Sequence, residues 1–296
     1  MKKKAFITGI SGQDGSYLSE HLLDKGYAVY GIIRRNSITE HQRNRLSHLD
    51  GKIELAYGDL TDKTSLDKNL KLIKPDEIYN LGAQSHVRVS FEIPEFTFQS
   101  NGIGVYNILE STKEFSPKSK FYQASSSEMF GRSVDNDGYQ REGTRFEPTS
   151  PYGCAKVFGF NLTKHYRKAY KIFAVNGILF NHESKRRGSN FVTSKVVKTA
   201  VRIKHQLEKE LVLGNMDSSR DWGHSKDYVN AMHLILTQDE PDDYVVATGQ
   251  TRTVRELCEY VFSKLNLDLE KYLKTSEKFM SPEELRYLKG DSSKIR

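Results

Sequence analysis

A tyrosine and a lysine stand four residues apart in the chain, at Tyr152 and Lys156. In a helix this spacing puts both side chains on one face, one turn apart. The lysine charge would then favour the phenolate and lower the pKa of Tyr152 into a range useful for proton abstraction. The pair predicts an acid/base group for hydride transfer. With 16 tyrosines in the chain, a chance pairing is equally acceptable when the spacing is considered alone.

A run of three serines and a glutamate, Ser125-Ser126-Ser127-Glu128, follows a short apolar segment. Ligands bind at the carboxyl ends of parallel strands, so this run predicts a sugar hydrogen bond from Ser126 and a second base at Glu128. The alternative interpretation is a serine helix cap followed by an ordinary acid in the first turn. The residue types alone do not separate the two interpretations.

The first apolar segment ends in a glycine loop, Gly9-Ile10-Ser11-Gly12-Gln13-Asp14-Gly15. In a dinucleotide-binding loop Gly9 would permit the tight turn, Gly12 the approach of backbone to a pyrophosphate, and Gly15 close packing of the following helix. The helix N terminus would add N–H groups and a positive dipole end. Since the loop lies between a predicted strand and a predicted helix, it predicts a dinucleotide site.

The end of the second predicted strand discriminates between the two nicotinamide dinucleotides. An NAD site places an acid there, whereas this chain has Arg34 and Arg35. Guanidinium groups suit a 2′-phosphate, which predicts NADP; solvated surface arginines are the alternative. Asp59 and Leu60, after the third predicted strand, are candidate adenine contacts, with a turn carboxylate as the alternative for Asp59.

Composition excludes several classes of protein. The net charge is +7, but the basic residues are dispersed, which argues against a nucleic-acid partner. No apolar run approaches the ~20 residues that span a bilayer, and the first apolar stretch is too short for a signal peptide. We therefore expect a cytoplasmic protein with no membrane partner. Cys154 and Cys258 are predicted to be buried thiols, and no metal site is predicted.

Short apolar strands alternate with amphipathic helices through the first half of the chain. The predicted strands are Lys4–Thr8, Ala28–Ile33, Ile53–Tyr57, Glu77–Leu81 and Lys120–Ala124. The predicted helices are Gly15–Lys25, Leu66–Leu72, Val105–Glu114 and Tyr152–Tyr170. This alternation predicts an α/β fold with a doubly wound parallel sheet of the Rossmann type.

The second half of the chain predicts a different organisation. Residues 1–176 would form the dinucleotide-binding domain, completed by part of 224–250, where Tyr244–Ala247 reads as a returning strand. Residues 177–296 would form a smaller α/β substrate domain, with polar loops at Asn181–Asn190 and Gly214–Lys226. The tail Leu257–Arg296 is predicted to be helical. Its end carries no stop signal, so we expect a chain cut before its natural end.

Longer motifs resemble the extended short-chain dehydrogenase/reductase superfamily and, within it, the GDP-mannose 4,6-dehydratase family. They cover nearly the whole chain: Ile7–Leu18, Tyr57–Leu60, Pro75–Ala83, Ser85–Val87, Tyr122–Ser125, Gly177–Ser184 and Leu213–His224. The last two are more specific than the glycine loop, which the whole superfamily shares. The resemblance implies conversion of GDP-mannose to GDP-4-keto-6-deoxymannose, with NADP returned unchanged.

The same resemblance implies a role for each catalytic residue. Tyr152 would take the proton from the hydroxyl on sugar carbon 4, and Glu128 would remove the proton on carbon 5 and assist loss of the carbon 6 hydroxyl. Lys156 would hold the nicotinamide ribose. Ser126 stands where the family usually has threonine and keeps the hydroxyl for a hydrogen bond to the substrate.

The resemblance also implies two binding surfaces and an oligomer. Besides the two arginines, NADP contacts are implied for Gly9, Ser11, Gly12, Gln13, Asp14, Gly15, Asp59, Leu60, Leu81, Ala83, Ser85, Tyr152, Lys156 and His182. Substrate contacts are implied for Ser85, Ser126, Glu128, Asn181, Val192, Lys195, Leu213, Gly214 and Arg220. The two arginines and the loop after them are implied in the subunit contacts of a homotetramer or homodimer.

Two alternatives to this function stay open. Ser281 replaces an arginine that contributes to nucleotide binding in relatives, and a dehydratase of another GDP-sugar, such as GDP-manno-heptose, would carry nearly the same motifs. A simple reductase would not need Glu128. An NADP-binding scaffold without turnover is an alternative of another class, and the joint presence of Ser126, Glu128, Tyr152 and Lys156 argues against it.

Overall fold

The computed structural model describes residues 2–37, 44–280, 282–283 and 285–296. The strands are β1 Lys4–Thr8, β2 Ala28–Ile33, β3 Ile53–Tyr57, β4 Glu77–Asn80, β5 Lys120–Ser126, β6 Ala174–Leu179, β7 Asn181–Glu183, β8 Leu211–Leu213, β9 Ser219–His224, β10 Asp243–Val246, β11 Thr251–Thr253, β12 Leu273–Thr275 and β13 Tyr287–Leu288. The helices are α1 Gln13–Asp24, α2 Lys63–Ile73, α3 Val87–Glu92, α4 Pro94–Phe98, α5 Gly104–Phe115, α6 Pro151–Tyr170, α7 Val192–Lys204, α8 Ser225–Thr237, α9 Val254–Lys264 and α10 Leu269–Tyr272.

Seven parallel strands form the main sheet in the order β10-β6-β5-β4-β1-β2-β3. Successive side chains of a strand point to opposite faces, so Phe6 lies in one hydrophobic cluster and Ile7 in another. Helices α1 and α8 cover the Ile7 face, and α2, α5 and α6 cover the Phe6 face. The predicted doubly wound α/β sheet is confirmed.

The strand order reverses between β1 and β4, which are neighbours in the sheet although β2 and β3 separate them in the chain. In open α/β sheets a ligand binds at the carboxyl ends of the strands beside such a reversal. The glycine loop follows β1 and Leu81 follows β4, so both lie at this position. The sheet therefore places its ligand cleft at the predicted dinucleotide loop.

A second, four-stranded sheet contains β7, β9, β11 and β13. Strand β9 pairs with β11 in the antiparallel sense and with β7 and β13 in parallel. Strand β8 pairs in parallel with β12. Helices α7 and α9 pack on each other in a separate hydrophobic cluster around Val196, Ala200, Cys258 and Phe262.

Three sequence predictions are wrong in this half of the chain. The predicted loops Asn181–Asn190 and Gly214–Lys226 contain β7 and β9. These two strands pair with each other, and β9 also pairs with β11 and β13. In the described part of the predicted helical tail Leu257–Arg296, helix is confined to α9, α10 and a 3-10 turn at Glu277–Phe279. Beyond α10 the chain is extended where it pairs with β8 and β9, because Leu285 and Leu288 are buried against the sheets rather than on a helix face.

The two cysteines differ in exposure. Cys258 is buried, as expected, but Cys154 is exposed, which makes the prediction of two buried thiols wrong for Cys154. Helix α6 buries the side chains that flank this cysteine, Tyr152 and Ala155, and turns Cys154 outward. Among the described residues no helix is both long and apolar enough to cross a membrane.

Candidate active site

A cavity of about 1070 Å³ opens at the carboxyl ends of β1, β4 and β5. All site residues predicted from the sequence line it except Arg35: Gly9, Ser11, Gly12, Gln13, Asp14, Gly15, Arg34, Asp59, Leu60, Leu81, Ala83, Ser85, Ser126, Glu128, Tyr152, Lys156, Asn181, His182, Val192, Lys195, Leu213, Gly214 and Arg220. Arg35 lines a neighbouring cavity of about 840 Å³ together with Arg34 and Arg45. We call this neighbouring cavity the arginine pocket.

The glycine loop is closed by backbone contacts that leave no room for side chains. Gly9 has a positive φ of 68°, and a Cβ there would lie 2.8 Å from the Gly82 nitrogen. A Cβ on Gly15 would lie 2.4 Å from the Gly9 oxygen. Among the described residues no side chain caps the N terminus of α1, which begins at Gln13 after Gly12. Its first N–H groups and dipole end are directed to the cavity side, as a phosphate site requires.

Tyr152 and Lys156 lie on the buried face of α6, whose start is fixed by its cap. The Ser150 hydroxyl accepts a 3.0 Å hydrogen bond from the Gly153 N–H, and Pro151 occupies the first helical position. The Tyr152 N–H donates to the Ser90 hydroxyl at 3.2 Å. These contacts direct the phenol and the ammonium toward the end of β5, where Ser126 and Glu128 stand.

The expected lowering of the Tyr152 pKa by Lys156 is wrong for this structure. Burial raises the pKa of Tyr152 to about 12; the Ser126 hydroxyl, which hydrogen-bonds the phenol, acts in the opposite direction, and the Glu128 charge adds to the rise. The Lys156 ammonium donates a 2.8 Å hydrogen bond to the Ala124 carbonyl and lies 5.7 Å from the centre of the tyrosine ring. Burial lowers the pKa of Lys156 to about 8.

The three serines of the run have different environments. Ser125 lines the cavity, but its hydroxyl donates to the Asn176 side chain at 3.0 Å within the sheet. Ser126 is the last residue of β5, and its hydroxyl accepts a 3.3 Å hydrogen bond from the Glu128 N–H. A short 3-10 turn, Ser127–Met129, then places Glu128 on the cavity wall. Ser126 therefore caps this turn, as the alternative interpretation expects, and its hydroxyl also contacts Tyr152. The sugar hydrogen bond and the base at Glu128 stay predictions.

Asp59 lines the cavity after the end of β3, but it already has local partners. Its carboxylate accepts hydrogen bonds from the Thr61 N–H at 2.9 Å and from the Thr61 hydroxyl at 2.8 Å. This is the geometry of an Asx turn. The alternative given for Asp59, a turn carboxylate, describes these contacts.

The opposite wall of the cavity is cationic and comes from the second half of the chain. Lys195, in the first turns of α7, donates to the Val212 carbonyl at 2.6 Å and lies 3.8 Å above the ring of Phe279. Burial lowers the pKa of Lys195. Arg220 on β9 donates to the Ser219 carbonyl at 3.0 Å and reaches the same wall. This end suits a diphosphate.

The site residues predicted from the sequence omit three arginines that line the cavity, Arg45, Arg88 and Arg187. Arg187 lies 3.1 Å from the Glu183 carboxylate and 3.7 Å above the ring of Phe191. Arg45 donates to the Arg186 carbonyl at 2.9 Å and to the Ser11 carbonyl at 3.4 Å. The basic run 185–187 was a signal for Arg187. No spacing signal pointed to Arg45, which reaches the glycine loop only through the fold.

Two positions named in the sequence analysis lie outside the described residues. Ser281 is one of them. Most of the loop after Arg35, residues 38–43, is the other.

Solved structures similar to this chain share its fold. A UDP-glucose 4-epimerase of Thermus thermophilus in complex with NAD matches with a TM-score of 0.85 at 23% identity, over 99% of this chain and 91% of that chain. An RMD structure from Pseudomonas aeruginosa complexed with NADPH matches with a TM-score of 0.81 at 23% identity, over 99% of this chain and 91% of that chain. At these identities the likeness concerns the fold alone.

Sequence comparison is more specific. A family model described as GDP-mannose 4,6 dehydratase matches residues 6–296. The GDP-mannose 4,6 dehydratase of Cricetulus griseus is 45% identical over 100% of this chain and 86% of that protein. The GDP-mannose 4,6-dehydratase of Vibrio cholerae serotype O1 is 49% identical over 91% of this chain and 74% of that protein. The chain belongs to the GDP-mannose 4,6-dehydratase family.

Proposed function

We propose that the protein is an NADP-dependent hydro-lyase that converts GDP-mannose into GDP-4-keto-6-deoxymannose. One observation carries the proposal: Ser126, Glu128, Tyr152 and Lys156 meet on the wall of one cavity that also contains the glycine loop and a cationic wall. A dehydrogenase needs only the tyrosine and lysine, whereas an elimination needs a second base such as Glu128. The names of relatives that align with the whole chain support the same substrate.

The glycine loop fits a dinucleotide on structural grounds. A Cβ at Gly9 or Gly15 would collide with backbone atoms, so the tight conformation of the loop requires glycine at both positions. The uncapped start of α1 leaves N–H groups for a pyrophosphate. When bound there, NADP would accept a hydride from sugar carbon 4 and return it to carbon 6. A cavity of about 1070 Å³ lies at the upper end of the roughly 300–1,000 Å³ of ligand pockets, as a large ligand such as a dinucleotide requires.

The side chains then divide the proton transfers among them. Tyr152 must be ionised to take the proton of the carbon 4 hydroxyl; burial opposes this ionisation, and the Ser126 hydroxyl and the Arg187 charge favour it. The resulting ketone acidifies the carbon 5 proton, which Glu128 removes. Glu128 then gives a proton to the departing carbon 6 hydroxyl, which leaves as water. Tyr152 gives the proton back to carbon 5 when carbon 6 receives the hydride. Lys156 binds the ribose of the dinucleotide from the buried face of α6.

The arginine pocket supports NADP over NAD. Arg34, Arg35 and Arg45 line it, and neither Arg34 nor Arg35 forms an ion pair with a carboxylate of the described residues. Guanidinium groups in this position match a 2′-phosphate. Replacing Arg35 with glutamine should weaken NADP binding by about tenfold, the loss of one charged hydrogen bond, and leave NAD binding unchanged. Calorimetry with both dinucleotides measures this, and equal losses for the two would contradict the phosphate contact.

The cationic wall is proposed to bind the GDP part of the substrate. Lys195 and Arg220 would meet the diphosphate, and Asn181, Val192 and the Leu213–Gly214 segment would surround the guanosine. Lys195 is already close to the Phe279 ring, so a diphosphate would approach an ammonium that is partly desolvated and binds anions more strongly.

Product analysis tests the reaction and the substrate together. Purified protein is incubated with NADP and either GDP-mannose or GDP-manno-heptose, and each sugar is followed by mass spectrometry. We expect GDP-mannose to lose one water without net formation of NADPH. Turnover of the heptose alone would replace the substrate, and no water loss from either sugar would remove the proposed activity.

Substitution of Glu128 by glutamine tests the elimination step. The amide keeps the shape but lacks the base, so we expect dehydration to fall by at least about 100-fold, the usual range for a general base. NADP affinity should be unchanged, which serves as the control for folding. A normal rate of product formation in this variant would show that another group removes the carbon 5 proton.

We also propose that the protein is a homo-oligomer. An exposed apolar surface on α4, α5 and α6 contains Phe96, Phe98, Tyr106 and Phe158, each about two-fifths exposed. Phe98 and Phe158 contact each other with ring centres 5.5 Å apart, so this surface is continuous across two helices. Monomers rarely expose such contiguous apolar patches, and a second copy would cover it. Light scattering that gives a monomer mass at micromolar concentration would contradict the proposal.

A further inference from the structure

Two polar side chains of the glycine loop, Gln13 and Asp14, contact β7 and the residue after it as well as lining the cavity. Gln13 donates to the His182 carbonyl at 3.1 Å and accepts from the Ser184 hydroxyl at 2.9 Å. Asp14 lies 2.7 Å from Nε2 of His182. The first turn of α1 is thereby bonded to a strand that lies about 170 residues later in the chain.

The two ring nitrogens of His182 face oxygen atoms that only accept hydrogen bonds. Nδ1 lies 2.7 Å from the Phe180 carbonyl, and Nε2 lies 2.7 Å from the Asp14 carboxylate. A carbonyl and an ionised carboxylate both need a donor, so both nitrogens carry protons and the ring is an imidazolium. With both N–H groups engaged, the ring has no donor left for a bound molecule.

The surroundings support a charged ring. Burial disfavours the charge, but the Asp14 carboxylate and the Phe180 carbonyl outweigh it and raise the pKa of His182 above its ordinary value of 6.5. Burial likewise opposes ionisation of Asp14, and the charge of His182 outweighs it and lowers the pKa of Asp14. Tyr228 of α8 stacks on the imidazolium with ring centres 4.4 Å apart.

Other titratable and charged groups near the pair come from the end of β7 and the segment after it; Tyr122 of β5 and Tyr152 of α6 also face the Asp14 charge. Arg187 opposes protonation of His182 and favours ionisation of Asp14. Glu183 is the neighbouring acid; burial raises its pKa, and the Arg187 and His182 charges act against that rise. The Asp14 carboxylate therefore has two cations beside it, and His182 is the one in direct contact.

We propose that Asp14 and the His182 imidazolium form an ion pair that fixes the glycine loop against β7, so that His182 governs dinucleotide affinity as a positioning residue without donating a hydrogen bond to the dinucleotide. The inference rests on the proposed function in that the loop is taken to bind NADP. The ion pair itself is a property of the protein alone and can be measured without any ligand.

The pair gives dinucleotide binding a pH dependence of definite sign. Because the pKa of His182 is raised, its contribution is complete below 6.5 and is lost as the pH rises through the raised value. Because the pKa of Asp14 is lowered, its contribution is present above 3.8 and is lost only as the pH falls through the lowered value. NADP affinity should therefore decrease as the pH rises through the raised pKa of His182.

Nitrogen NMR of the histidine rings tests the protonation state in wild-type protein, with the His182 signals assigned by their absence in His182→Gln. We expect both ring nitrogens of His182 to be protonated at pH 7. In Asp14→Asn the ring should titrate at or below its ordinary pKa and be largely neutral at pH 7. A neutral His182 in the wild-type protein at pH 7 would overturn the proposal, whatever the behaviour of Asp14→Asn.

Calorimetric titration with NADP between pH 6 and 9 tests the consequence. Asp14→Asn should bind NADP about tenfold more weakly at pH 6.5, with little further change up to pH 9, and Asp14→Glu should recover part of the affinity. Asp24→Asn, an exposed aspartate of the same helix, should match the wild type. Wild-type affinity and pH profile in Asp14→Asn would overturn the positioning role. If wild-type protein binds no NADP at any pH, the proposed function fails, while the NMR result still decides the ion pair.

Discussion

The glycine-loop wall of the cavity and its cationic wall are built in different ways. Residues 8–15 follow one another in the chain, and contacts between backbone atoms set their shape. The cationic wall takes its residues from β7, α7, β9 and the turn after β8, which meet only because β7 pairs with β9 and β8 pairs with β12. One wall is a local motif with sterically required glycines, and the other depends on pairing between distant segments.

The cationic wall has its own buried polar centre in Asp221. This fully buried carboxylate accepts hydrogen bonds from the Thr248 N–H at 2.9 Å, the Thr248 hydroxyl at 2.6 Å and the Gly249 N–H at 2.8 Å. It thereby ties β9, which carries Arg220, to the turn between β10 and β11. Asp221 therefore fixes a wall that is assembled from distant pieces. The shape of the glycine loop is set by its own backbone contacts, and only its position against β7 depends on the contact of Asp14 with His182.

The largest effect is expected from breaking the local wall with Gly15→Ala. The new Cβ would lie 2.4 Å from the Gly9 oxygen and 2.6 Å from the Ile10 Cα, both backbone atoms that cannot rotate away. We expect the free energy of unfolding to fall by about 3 kcal/mol and NADP affinity to fall with it. GDP affinity should change less, since the cationic wall is built elsewhere.

Thermal unfolding and calorimetry with NADP and GDP measure these effects. Gly143→Ala is the matched control, because a Cβ there meets no atom within 4 Å. Equal losses of NADP and GDP affinity in Gly15→Ala would show that the two walls are not separable.

A smaller effect is expected from Asp221→Asn, which should weaken GDP binding rather than NADP binding. The amide presents N–H groups to N–H donors and leaves one of them unpaired, which should cost about 2 kcal/mol of unfolding free energy. GDP affinity should fall and NADP affinity should be retained. Chemical denaturation and the same two titrations decide this, with the exposed Asp217→Asn as control. A variant that loses NADP and retains GDP would contradict the assignment of Asp221 to the cationic wall.

The smallest effect is expected from Lys156→Met, which removes chemistry without disturbing either wall. In the folded protein the pKa of Lys156 falls from 10.5 to about 8, so its charge is penalised below pH 8 and the penalty is relieved as the pH rises toward 10.5. Wild-type stability should therefore increase across that interval, and the variant should not show the increase. At pH 7 the variant should be more stable by about 1 kcal/mol. Removal of the buried charge stabilises the folded state, and loss of the hydrogen bond to the Ala124 carbonyl offsets part of that gain.

Unfolding curves between pH 7 and pH 10 check this prediction, and turnover should be lost in the same protein. The control Lys168→Met changes an exposed lysine of the same helix and should leave the pH profile unaltered. A less stable Lys156→Met variant at pH 7 would show that the hydrogen bond outweighs the buried charge.

The regular half of the fold could be predicted because its signals are local. The bounds of β1, β2 and β3 agree with the expectation to the residue, and α6 differs by one residue at its start. Apolar periodicity and flanking glycines decide these elements within ten or twenty residues of chain. Strands β7 and β9 were predicted as loops because they are short and polar, and only their partners make them strands.

In the candidate site, too, local features could be predicted from the sequence and features that depend on distant segments could not. Spacing within one helix brought Tyr152 and Lys156 together, and the position of the serine run after a strand pointed to Ser126 and Glu128. The pKa of Tyr152 could not be predicted from spacing, because it depends on burial by segments distant in sequence. The same holds for Arg45, which reaches the loop through contacts that no motif describes.

The sequence by itself determined the parallel sheet, the glycine loop and the residues that could carry the chemistry, since steric rules and periodicity act between near neighbours in the chain. The family motifs extended that to the residues of the cationic wall. Only the tertiary structure decided which groups face one another, including the contact of Asp14 with His182 and the burial that raises the pKa of Tyr152. Electrostatic and packing effects depend on distance in space, and the chain fixes that distance only when it has folded.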